Sequence, residues 1–240
     1  MSMRFKGGVI SATAPTTSTS VATGVWTLQQ QFQAIGQSLW PSPPLVIGQA
    51  YAGGFYAGQI GVSGVATHNL VIGPVASAQS SKAWKNATTA TTGADSVIDG
   101  PQNTTDMVAD GSSTVYPAAH FCNDLVIGGF SDWYMPAKNE LDVCYYNLKP
   151  TTTSNNTGFG INANAVPARA SNYTAGTPAQ TSAAAFQSGG AEAFSASTYW
   201  ASTEFSAANG WYQEFGDAIQ GGVNKTRTGY TVRAIRRVAV

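Results

Sequence analysis

Charge is scarce in this chain of 240 residues, and what there is cancels: twelve Lys and Arg stand against twelve Asp and Glu. A sparse, balanced distribution offers no electrostatic footprint for a nucleic-acid backbone or an anionic membrane surface, so neither is an expected partner. Long apolar runs are also missing. None approaches the roughly 18 residues that a membrane-spanning helix requires, and no membrane insertion is expected. Arg4 and Lys6 open the chain, but Gly7, Gly8 and Ser11 break up the next stretch before an apolar signal-peptide core can form. Cysteine occurs twice, at Cys122 and Cys144, too rarely for a disulfide framework and without the paired spacing of a zinc site. The two either bridge once or are buried as small hydrophobes, and burial is the expectation. Histidine also occurs twice. Neither His68, before an apolar strand-like run, nor His120, beside Phe121, has a visible nucleophile and orienting partner, so no enzymatic centre is expected.

What the chain does have is glycine, small polar residues and short β-forming runs, a composition that suits a loop-rich α+β protein with a polar, uncharged surface. Residues 11 to 24, "SATAPTTSTSVATG", carry no apolar periodicity and are expected to be extended or flexible unless a partner holds them. Leu28, Phe32, Ile35 and Leu39 then recur at helical spacing, and Trp40 to Pro44, "WPSPP", end that helix because proline cannot continue it. Two heptads do not hold a coiled coil unaided. The seam therefore packs either on the downstream domain or on copies of itself and other proteins. Residues 1–44 are read as an attachment segment, with Trp26, Leu28, Phe32, Ile35 and Leu39 as its contact residues, and residues 45–240 as the main domain.

From Leu45 the texture is strand and turn, and "HNLVIGP" reads as a buried strand stopped by Gly73 and Pro74. Leu-Val-Ile-Gly recurs at Leu45, Leu70 and Leu125 at irregular spacing, so it is shared strand or helix-end chemistry and not a repeat. Residues 85–115 are polar, a long ordered loop or short helices with an amphipathic piece at Thr104 to Val108. Pro117 and Pro136 each suit a first helical position, and an apolar face comes after each: Ala118, Phe121, Cys122 and Leu125 up to Gly128, then Ala137, Leu141, Cys144, Tyr145 and Leu148 up to Pro150. Residues 151–195 are read as a long loop. Three strand-like runs close the chain, "TYWASTEFS", "GWYQEFGDAIQG" and "YTVRAIRRVAV", the first two as a hairpin.

"GGFSDWYMPAKNELDVCYYNL", Gly128 to Leu148, concentrates functional-looking side chains. Asp132 and Glu140 suit the start of a helix, where a carboxylate complements the helix dipole, and Trp133 suits a core anchor. Asp or Glu here can also pair with Arg233, Arg236 or Arg237 of the closing strand and tie helix to sheet. Asp132, Trp133, Pro136, Glu140, Trp200, Arg233 and Arg236 are therefore expected to be structural. Recognition is expected on polar and aromatic side chains offered by loops and strands nearer the end: Glu204, Asn209, Trp211, Tyr212, Gln213, Asp217, Gln220, Asn224, Lys225 and Arg227. Trp211 and Phe215 fit an inward-facing core alternation equally well.

"GGFSDWYMPAKNEL", "YWAST", "GWYQEFGDA" and "YTVRAIRRV", in that order, together with "NLVIGP" and "AWKNATTATTGADSVIDGPQNT", resemble the Lcl C-terminal domain family over residues 46–238. The resemblance implies a C-type-lectin-like fold, similar to formylglycine-generating enzymes and retroelement variable proteins: two helices packed on a small antiparallel sheet with long loops. Phe5 to Pro41 resembles the N-terminal segments of phage tail structural proteins. Together these imply a virion adhesin on a phage tail fibre or baseplate, homotrimeric, attached to other tail proteins through its N-terminal segment and binding a host surface glycan or protein through its C-terminal domain. The alternative is a non-binding decoration or connector protein of the virion. Two departures limit what carries over. The calcium-holding Glu-Pro-Asn or Gln-Pro-Asp and Trp-Asn-Asp tripeptides of sugar-binding C-type lectins are missing, so no metal is expected. No cysteine comes after Cys144, so neither the formylglycine-generating activity nor any cofactor carries over.

Overall fold

The computed structural model describes residues 27–37 and 44–240, which fall into two units, Met1–Leu45 and Val46–Val240. In the first, a helix spans Leu28–Gly36 (α1). Thr27 starts it, its Oγ1 accepting the Gln30 N–H at 3.2 Å. Leu28 and Phe32, one turn apart, are 72% and 70% exposed. The expectations for Trp26, Leu39 and the Ile35 side chain, and for residues 11–24, lie outside the described residues.

The second unit is mixed α+β, built on two sheets. Ala50–Tyr51 (β1), Gly54–Val62 (β2), Val65–Ile72 (β3) and Ile235–Ala239 (β9) make a four-stranded antiparallel sheet in the order β1-β2-β3-β9. Gln79–Ser81 (β4), Thr198–Ser206 (β5), Asn209–Glu214 (β6), Gln220–Asn224 (β7) and Thr231–Arg233 (β8) make the other, ordered β4-β8-β5-β6-β7. The single small antiparallel sheet expected from the resemblance is thus two sheets, and β5 pairs β8 in parallel. The closing run "YTVRAIRRVAV" is not one strand. It passes from one sheet to the other at Ala234, whose N–H donates to Ala78 O at 2.8 Å and whose carbonyl accepts from Gly73 N at 3.0 Å.

The middle of each sheet is buried on both faces: most of β2 and the second half of β3 in the first, and most of β5 in the second. Leu70 and Ile72 point into one core and Val71 into the other. Tyr199 and Trp200 divide in the same way, as successive residues of a strand must. The first core is filled by a helix over Lys138–Leu148 (α5), through Leu141, Cys144, Tyr145 and Leu148. The second takes Met107 from Gly100–Asp110 (α3) and Ala118 and Cys122 from Pro117–Asn123 (α4), around Trp84, Trp133 and Trp200. A four-residue helix, Val75–Ala78 (α2), links the sheets. Both cysteines are free and buried, and burial pushes both thiols up.

Helix boundaries differ from the expected ones for local reasons. α3 starts at Gly100, ahead of the amphipathic Thr104 to Val108, because Asp99 caps it by accepting the Gln102 N–H at 3.3 Å. α4 stops at Asn123. Leu125 and Gly128 lie beyond it, where Ile127 and Phe130 bridge across a turn that Gly128 and Gly129 enter at φ 62 and 82 degrees. α5 begins at Lys138, so Pro136 precedes the cap and is not the first helical residue. Its own first turn and two distant segments satisfy the N–H groups at its start: Glu140 Oε2 accepts from Ala137 at 2.8 Å, Thr203 Oγ1 from Lys138 at 2.9 Å and Val97 O from Asn139 at 2.8 Å.

Asp132 does not serve the start of α5. Its carboxylate pairs with Arg236, Oδ1 accepting from Nε at 2.7 Å and Oδ2 from Nη2 at 2.8 Å, while the guanidinium lies 3.8 Å above the Phe130 ring. The hydrogen bonds from Arg236 hold the Asp132 carboxyl below the usual range, with burial opposing. A depressed folded value means that the pair stabilises above the unfolded carboxylate value of about 4 and loses that contribution as pH falls through the folded value. Asp132→Ala is expected to cost about 1 kcal/mol at pH 7, because the carboxylate is half exposed, and less at pH 2. Thermal melts at the two pH values check this.

Candidate functional site

The strand alternation that buries Trp200 also decides what the C-terminal sheet presents. On β6, Trp211 and Gln213 face one way and Tyr212 the other. Tyr212 meets Tyr230 edge to face at 5.8 Å, and Tyr230 in turn lies 4.8 Å from Trp200. Trp211 meets Phe205, at the end of β5, with ring centroids 4.7 Å apart and planes at 72 degrees. The two rings hold this geometry because residue 222 on β7, opposite Trp211, is glycine: a Cβ there would lie 2.3 Å from the Phe205 ring.

These rings form one wall of an open groove of about 470 Å³. Gln220 lies in its floor, donating to Gln213 Oε1 at 2.6 Å and to Asp142 Oδ1 at 3.3 Å. Lys138 enters at one end, its ammonium 5.1 Å from the Trp211 ring. Phe159, Ile161 and Asn172 form the opposite wall. That wall belongs to the stretch read as a loop, and apart from a 3-10 turn at Ala184–Phe186 it forms no helix or strand. It is nevertheless anchored. Asp142, buried on α5, accepts from Arg169, Tyr173 and, at 2.6 Å, Asn162. Arg169 donates onward to Gly160 O at 3.1 Å, and the Tyr173 N–H to Phe159 O at 2.6 Å. Asn155 fixes the preceding turn, accepting from Tyr145 Oη at 2.6 Å and donating to Pro178 O at 2.9 Å.

The electrostatics of the groove are simple. Among the described residues that line it, Lys138 alone is ionised, and it forms no ion pair. Its ammonium makes one long hydrogen bond, to Asn139 Oδ1 at 3.4 Å. Burial pulls it below the usual lysine range; Asp142 opposes that shift and Arg169 adds to it.

Of the residues expected in recognition, Trp211 and Gln220 line this groove. Gln213 and Lys225 are not presented. Lys225 is wholly buried over the Trp84 ring, donating to Glu204 Oε2 and to two backbone carbonyls, because burial of an ammonium requires that its protons be satisfied. Glu204 is committed to that pair and to the Thr91 N–H at 2.7 Å. Asn209 and Asn224 face each other at one end of the β6–β7 ribbon, where Asn224 Oδ1 accepts the Thr226 N–H and hydroxyl, and Arg227 is exposed beside Tyr230. Asp217 closes the opposite turn, accepting from Ile219 N at 3.2 Å. Lys138, Phe159, Ile161 and Asn172 were not among the expected site residues. The signal for Phe159 and Ile161 was their size in a stretch of small polar residues.

The residues expected to be structural are held in partnerships. Arg233, buried between Phe186 and Phe194, donates to Gly73 O, Glu192 O and Glu192 Oε2, each at 2.9 Å. Trp200 and Trp133 donate to the carbonyls of Lys82 and Phe130. Glu140 is wholly buried and accepts from Tyr134 Oη at 2.5 Å, Arg237 Nε at 2.7 Å, Ala137 N at 2.8 Å and Gly100 N at 3.2 Å. Burial pushes its carboxyl up, and Arg237, Tyr134 and the Ala137 N–H oppose the rise. His68 Nδ1 meets Thr67 Oγ1 and His120 Nε2 meets Gly111 O, at 3.0 and 2.7 Å. Among the described residues no cluster of His, Cys, Asp or Glu is arranged to hold a metal, and no helix is long and apolar enough to cross a membrane. In comparisons with known proteins, neither a family model nor a curated protein matches the sequence.

Proposed function

We propose that this chain is a non-enzymatic virion adhesin of a phage tail fibre or baseplate, with a C-type-lectin-like domain of the Lcl C-terminal kind over residues 45–240. The observation that carries this reading is the groove: two aromatic rings meeting edge to face, amide side chains and one ammonium, set on a sheet, one helix and an anchored loop. Aromatic faces offer large contact area at low entropic cost, and the amides supply adaptable hydrogen bonds, the combination that glycan and protein receptors need. Joining the early strands β2 and β3 to the last strand β9, with long loops between, is an arrangement the lectin-like reading accommodates.

Residues 1–44 then act as the attachment segment to other tail proteins within a homotrimer. Leu28 and Phe32, apolar and exposed one turn apart, favour such a contact. Retention of the purified chain on bacterial cells tests the receptor role. Trp211→Ala is expected to weaken retention by about thirtyfold, the scale of a central aromatic anchor, with only a modest fall in melting temperature because Trp211 is partly buried at the edge of the first core and not inside it. Unchanged retention would leave the decoration or connector role in its place.

A further inference from the structure

We infer that the groove binds a saccharide unit carrying a single carboxylate, with the sugar ring against Trp211 and Phe205 and the acid on Lys138. This rests on the adhesin reading and names its ligand class. Three observations carry it. The first is the position of Lys138: as the first residue of α5 it sits at the positive end of the helix dipole, where a cation is disfavoured and an acid is usual. A cation kept there, half-buried and in no ion pair, with the nearby Asp142 already taken by Arg169, Tyr173 and Asn162, is available to an anion from outside. The second is the wall. Trp211 lies within cation–π distance of that ammonium and edge to face with Phe205, so a sugar ring packed against Trp211 places its substituents within reach of Lys138. Third, no carboxylate is among the described lining residues, while Gln220 and Asn172 offer neutral groups of the kind that hydrogen-bond sugar hydroxyls. One ammonium balances one charge. A densely sulfated chain would need several cations, and the groove supplies one.

The test uses the full chain labelled with ¹⁵N, tracking the Trp211 indole N–H signal during titration with glucuronate and galacturonate and, in parallel, with glucose and galactose. The uronates are expected to shift that signal and to bind about tenfold more tightly than the neutral sugars, a preference that shrinks as salt is raised. Lys138→Gln removes the preference and Lys138→Arg retains it. Both variants fold, since the ammonium makes one long bond only. Equal binding of acidic and neutral sugars, a preference that survives Lys138→Gln, or no shift with any of the four sugars overturns the inference. Retention on cells separates this from the adhesin reading. Retention that depends on Trp211 but shows no acid preference sinks the ligand class alone, whereas retention indifferent to Trp211 sinks the groove as receptor site.

Discussion

Glu140→Ala lowers stability by about 3–5 kcal/mol, the cost of leaving a largely buried guanidinium and other donors without their acceptor. Four donors converge on this one carboxylate from four places in the chain: Arg237 of β9, Tyr134 before α5, Ala137 at its cap and Gly100 at the start of α3. At roughly 2–4 °C per kcal/mol for a domain of this size, the melting temperature falls by about 10 °C. Glu140→Gln does little better, because one carboxamide oxygen cannot accept from both pairs of donors while its NH₂ faces Arg237. The double variant Glu140→Ala, Arg237→Met costs less than the sum of its parts, since the uncompensated charge is gone. Calorimetry of the set checks this, and a loss under about 1 kcal/mol for Glu140→Ala would show that the hub role is wrong.

Asp142→Ala acts on the groove as well as on stability. Removing the carboxylate strands Arg169, Tyr173 and Asn162 and loosens Gln220 from the groove floor. The expected cost is about 3 kcal/mol, together with loss of ligand or cell binding to the level of Trp211→Ala. Proteolysis is expected to begin between residues 156 and 173, where the backbone has no strand or helix to fall back on. If binding persists while stability falls, the outer wall is held by something other than Asp142.

The two hubs explain a composition that is puzzling at first sight. The loops of this chain hold few large apolar residues, and several of those, Trp84, Tyr173, Phe186 and Phe194, are buried in the cores, which leaves long stretches between them to be fixed in another way. Buried ionised side chains do the rest: Glu140 and Asp142 from α5, Arg233 and Arg236 from the closing strands, and Lys225 beneath the β6–β7 ribbon. The low charge count invites the picture of a polar, uncharged surface with charge playing little part. Much of the charge is inside, paired, and holding loops to helices.

Much of the secondary structure was legible because it depends on near neighbours. The helical spacing of Leu141, Cys144, Tyr145 and Leu148, the turn residues around the strands and the proline punctuation all act over a few residues, and α1, α4, α5 and strands β2, β3, β5 and β6 appear where those signals lie, whereas the run "GWYQEFGDAIQG" is split between β6 and the start of β7. The boundaries that moved were those set by side chains reaching back, such as Asp99 to Gln102 and Glu140 to Ala137. Which residues share a site was not legible. Lys138 and Trp211 lie far apart in the chain, and the wall that faces them comes from a stretch with no periodicity. Only packing decides that α5 delivers Lys138 to the Trp211 face, that Tyr212 turns away from it, and that Lys225 lies inside. The sequence by itself determined the elements and the scarcity of charge, because propensity and composition are local properties. The tertiary structure alone decided where each charge is spent, because burial and pairing depend on partners that are distant along the chain.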